Sequence, residues 1–180
     1  MNHIKTITCG LLLSSQIIHA QPALAATQAV GSIALMDKDK FECFIPVPAA
    51  GETITYALVS AIVITPPPLP PPPPPPCHLV KAREFGLIGI PSATEILFSA
   101  NKFCNTQPGE EGEFWFRFKT IKNPTTLNYI EMEYLKSFTP PNIVGPGLQL
   151  IDRFLKPGNP VVRDKLACVQ IKTSAAPPTP

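Results

Sequence analysis

The sequence predicts a β-rich α+β fold: a single disulfide-stabilised domain, with a sandwich of sheets as its candidate arrangement and a polyproline II segment built into it. Three observations carry this. "GEFWFRFKTI" (112–121) alternates Phe114, Phe116 and Phe118 with Trp115, Arg117 and Lys119, the period-two pattern of a half-buried strand. Cys43, Cys77, Cys104 and Cys168 form an even set in a chain that opens like an exported protein. Two other segments space apolar residues as helices do, between turn signals.

Residues 1–25 read as a signal peptide. Lys5 supplies the positive start, "ITCGLLLSSQII" (7–18) the apolar core, and Ala23 and Ala25 the small residues before cleavage after Ala25. The apolar run falls short of the ~20 residues of a spanning helix, and "YALVSAIVI" (56–64) is shorter still. A mature chain without a transmembrane segment, periplasmic or secreted, is therefore expected. Residues 26–36 are small and weakly apolar, a flexible lead-in by composition, and "SAAPPTP" (174–180) is a disordered tail. The single globular domain is expected over 37–173.

Within it, "FECFIPV" (41–47) predicts a strand that Pro46 places at an edge. "ETITYALVSAIVIT" (52–65) is β-branched and apolar and predicts a long, mostly buried strand. "HLVKAREFGLIGI" (78–90) is extended and broken at Gly86 and Gly89. "PSATEILFSANKF" (91–103) predicts a helix, with Ser92 and Glu95 at capping-box spacing before Ile96, Leu97, Ala100 and Phe103. "NPTTLNYIEMEYLKSF" (123–138) supports helix or strand; after a strong strand and the turn "KNPTT", strand is favoured, with Ile130, Met132 and Tyr134 inward. "GLQLIDRFLKPG" (147–158), bracketed by Pro146 and Pro157, predicts a short helix, and "KLACVQIKT" (165–173) a closing strand.

The side-chain inventory argues against most enzyme classes. Beyond the leader, His78 is the sole histidine, so a multi-imidazole metal site or a Ser-His-Asp triad has little to draw on. Glu110, Glu111 and Glu113 sit in a turn, Glu131 and Glu133 on an outer face, and "DKDKFE" (37–42) lacks the glycine and third ligand of a calcium loop. A small carboxylate-based hydrolase needs two acids converging in a cleft, which sequence does not place. No cofactor and no metal are expected. Removing Lys5 leaves 14 basic and 13 acidic side chains, a net charge of +1 that gives no reason to expect nucleic acid. Trp115, Arg117 and Lys119, outward on the strong strand, form the candidate binding face, for another protein or a surface component.

In "ITPPPLPPPPPPPCHL" (64–79) ten of the eleven residues from 66 to 76 are proline. Such a run adopts a stiff polyproline II helix of ~3.1 Å per residue. Leu69, Pro70, Pro71, Pro72 and Pro73 are similar to the short motifs read by EVH1 domains, which would make the chain a secreted effector or adhesin presenting a ligand. An interdomain spacer is disfavoured, because about 30 residues before it cannot bury a core. A strand of 53–65 and a tract of similar length folding back on it, or more simply a protruding loop closed at its base, would bring Cys77 to Cys43 and leave Cys104 for Cys168. The sum is an exported, non-enzymatic binding or structural protein.

Overall fold

A computed structural model describes residues 31–59, 76–110 and 112–175. The expected signal peptide of residues 1–25, the tract residues Leu69 and Pro70 to Pro73, and the end of the tail lie outside these. The described residues form ten strands in two antiparallel sheets: β1 (Ser32–Met36), β2 (Glu42–Pro46), β3 (Thr53–Ala57), β4 (Glu84–Ile90), β5 (Glu95–Ser99), β6 (Phe114–Thr120), β7 (Thr125–Glu131), β8 (Ile143–Gly145), β9 (Leu148–Leu155) and β10 (Cys168–Lys172). One sheet has the order β2-β1-β4-β7, the other β3-β10-β5-β6-β9-β8. A six-residue 3-10 helix (Met132–Ser137) follows β7.

The alternation on β6 sets the core. Phe114, Phe116 and Phe118 are all fully buried and face the four-stranded sheet. Across the gap, Phe85 of β4 meets Phe98 of β5 edge-on at 5.0 Å, and Phe98 meets Phe118 at 5.5 Å. Aromatic pairs at these spacings add about 1 kcal/mol each to the burial of their area. Ile33, Leu35, Ile45 and Leu87 fill the layer from the smaller sheet, Ile96, Leu150, Val169 and Ile171 from the larger. The two sheets thus pack face to face. At one lateral edge the Tyr56 hydroxyl of β3 donates to the Pro46 carbonyl of β2 over 3.0 Å.

Several expectations are corrected. Apart from the 3-10 helix, the described elements are strands, so the α part of α+β is absent among them. Residues 91–103 hold β5, because Ile96, Leu97 and Phe98 pair on both sides, with β10 and β6, and sheet pairing overrides a capping box. Residues 147–158 hold β9, which pairs with β6 along its length; Pro146 and Gly147, the latter at φ +82°, make the β8–β9 turn. The lead-in 26–36 contains β1, an interior strand whose Ile33 and Leu35 are fully buried. The start of the tail is anchored, since Ser174 accepts the Gly51 N–H through its carbonyl and donates its hydroxyl to Ala93. β3 is a five-residue edge strand and largely exposed, rather than long and buried; residues 60–65 lie outside the described part. Gly86 and Gly89 lie within β4 at shifts of register with β7 instead of breaking it. β7 is a strand as favoured, but Leu135 of the 3-10 helix takes the inward place expected of Tyr134, which is 57% exposed.

Candidate functional site

The outer face of the six-stranded sheet carries the residues singled out by pattern. Cross-strand register sets Lys172, Glu95 and Lys119 side by side, and Gln170, Leu97, Arg117 and Asp152 in the neighbouring row. Trp115 belongs to the third row and points outward as expected, but it is 9% exposed. It packs with Leu97, Phe154 and the Cys104–Cys168 disulfide in a small second apolar cluster. The Arg117 guanidinium lies 5.5 Å from the Trp115 ring centre. The indole therefore supports the disulfide loop and offers no free platform for a ligand. Arg117 and Lys119 remain half-buried on this face, beside a shallow depression of about 280 Å³ bounded by Glu95, Arg117, Gln170 and Lys172.

The outer face of the four-stranded sheet is different in character, and no sequence pattern pointed to it. Register places three rows there: Pro46, Ser32 and Ile88; Phe44, Ala34 and Gly86; Glu42, Met36, Glu84 and Glu131. Phe44 and Ile88 are 49% and 48% exposed, whereas Ala34 and Met36 between them are buried. What covers the middle is Tyr129 of β7. A Cβ built on Gly86 would stand 3.6–3.7 Å from two atoms of its ring, so the ring lies on the bare glycine backbone. Burial first, then Glu42 on β2, at the far edge of the sheet, as acceptor and as charge, then the charge of Glu84 push the Tyr129 phenol above its ordinary value. A depression of about 470 Å³ opens beside the ring, with Ala34 and Gly86 as floor and Ile88, Thr126 and Asn128 as walls. The missed signal is Gly86 in an otherwise apolar strand, whose bare backbone leaves room for the Tyr129 ring.

The disulfides join Cys43 to Cys77 and Cys104 to Cys168, each with Cα atoms 5.4 Å apart. The described residues on either side of 60–75 meet: the Leu79 N–H donates to the Leu58 carbonyl over 2.6 Å, and Cys77 is tied to β2. Strands before and after it pair in both sheets, so it joins parts of one two-layered body.

The acidic residues serve the frame. Asp37 accepts the N–H groups of Asp39 and Phe41 and shapes the β1–β2 turn. Glu110 accepts from Asn105, Glu131 pairs with Arg163, and Glu133 with Lys136. Burial alone would raise Glu133, but Lys136 and the N–H groups of Arg163 and Val162 hold its carboxyl below the usual range. Among the described residues no three His, Cys, Asp or Glu side chains gather as a metal set, and no helix is long and apolar enough to cross a membrane. Comparison with known protein families, curated proteins and solved structures finds no match to this chain.

Proposed function

We propose that this protein is an exported, non-enzymatic binding protein that engages a partner macromolecule through the outer face of its four-stranded sheet. Two disulfides suit an oxidising compartment, periplasmic or extracellular. The observation that carries the reading is the pair of exposed side chains Phe44 and Ile88, with Tyr129 close against the bare backbone of Gly86, on a sheet whose centre is pared to Ala34 and Gly86. Clustered exposed apolar side chains with an ordered polar rim mark interaction surfaces. The test is a photo-reactive amino acid placed at Ile88, and separately at Gln170 on the opposite face, in cells that make the protein. A discrete crosslinked species from position 88 and none from 170 supports the reading; crosslinks from 170 alone reject it.

A second reading rests on the proline-rich sequence, whose described flanks Leu58 and Leu79 meet. A polyproline run presents a ligand with little entropy left to lose on binding. On this reading position 88 gives no crosslink, and deleting residues 66–75 abolishes partner capture.

A further inference from the structure

We infer that the depression on the outer face of the six-stranded sheet is a site for a uronic acid, a sugar ring that carries one carboxylate. The site lies on the opposite sheet from Ile88 and is separate from the proposed partner face. Arg117, Lys172 and Glu95 line it together with Gln170, which leaves one positive charge in excess. Among the described residues none of these three charged side chains enters an ion pair; the pairs that form there join other residues. Register sets Lys119 beside Glu95 and Asp152 opposite Arg117, one charge of each sign, so including these neighbours leaves the excess unchanged.

The binding groups are held in place before any ligand arrives. The Arg117 guanidinium rests 5.5 Å from the Trp115 ring centre, and that indole is itself packed with the Cys104–Cys168 disulfide. The Gln170 amide donates to the Thr55 hydroxyl over 3.0 Å, which leaves its carbonyl oxygen to accept. Gln170, Leu97 and Arg117 are neighbours in one cross-strand row, so Gln170 and Arg117 stand about 9–10 Å apart over buried Leu97. A guanidinium matches a carboxylate bidentately. A single carboxylate cancels the excess charge, whereas a phosphate dianion overshoots it beside Glu95. Glu95 and Gln170 supply acceptors for hydroxyl groups, which a simple carboxylic acid lacks. A volume of about 280 Å³ falls just under that of pockets for drug-sized ligands and suits one ring.

The test follows the amide NMR signals of the mature full chain during titration with galacturonate and glucuronate, and with galactose, acetate and inorganic phosphate as controls. At least one uronate should move the signals of Leu97, Arg117 and Gln170, and each control should bind about fivefold more weakly or less. Raising salt from about 50 mM to about 500 mM should weaken the uronate titration. Arg117→Gln should weaken it about tenfold. Lys172→Gln, at an exposed position that supports no packing, should weaken it about threefold and serves if the first variant fails to fold. The inference is overturned by no response to either uronate, by shifts confined to other faces, by acetate, phosphate or galactose titrating as well as the uronate, or by indifference to Lys172→Gln. A photo-reactive side chain at position 170 itself fills the depression, so the crosslinking result and the uronate titration are read independently.

Discussion

At the scale of single residues, Glu133 shows how a lone carboxylate fixes a loop. It accepts the N–H groups of Val162 at 2.8 Å and Arg163 at 3.0 Å and pairs with Lys136, tying the 3-10 helix to the chain that leads into β10. Charge-assisted bonds to buried backbone groups are costly to lose, so Glu133→Ala should destabilise the protein by about 2 kcal/mol at neutral pH, measured by urea unfolding. The sign with pH follows from the depressed carboxyl. Its contribution is present above the unfolded value of about 4.3 and fades as pH falls through the lower folded value. The gap between wild type and Glu133→Gln should therefore narrow below about pH 4.

At the scale of elements, β6 is the strand whose pattern and burial agree throughout: Phe116→Ala should cost about 4 kcal/mol, against under about 0.5 kcal/mol for Phe103→Ala on the exposed loop. Its alternation was legible because one face is fully buried and its neighbours are charged. β5 and β9 were not legible as strands. "EILF" and "LQLIDRFL" satisfy a helical stripe equally well, and what decides between the two is pairing with β6 on either side, a non-local fact. For β9 a local clue existed, the Pro146–Gly147 turn between two apolar runs. β1 was lost to its small residues: Ser32 and Ala34 read as lead-in composition, yet Ile33 and Leu35 beside them are fully buried in the core. The outer face proposed for binding stayed hidden because it is assembled from β2, β1, β4 and β7, no two of which show it alone. Trp115 illustrates the converse. Its outward direction was legible, but the disulfide loop that covers it was not.

At the scale of the molecule, the two bridges close spans of 34 and 64 residues, so each removes chain entropy worth about 4 kcal/mol from the unfolded state. Cys104→Ser with Cys168→Ser should lower stability by about that amount and also loosen Trp115, seen as a red shift of its emission at temperatures below unfolding. Deleting residues 66–75 should change the urea midpoint little, because Leu58 and Leu79 already meet and loop length enters only logarithmically. The most direct test of the central claim sets one face against the other in the cells that make the protein. Ile88→Glu and Gln170→Glu each place a single carboxylate on an exposed or half-exposed site of a different sheet, and the yield of the partner crosslink from a photo-reactive residue at Phe44 is measured in both. The account predicts that Ile88→Glu abolishes the crosslink while Gln170→Glu leaves it at wild-type yield; loss with Gln170→Glu and retention with Ile88→Glu would contradict it.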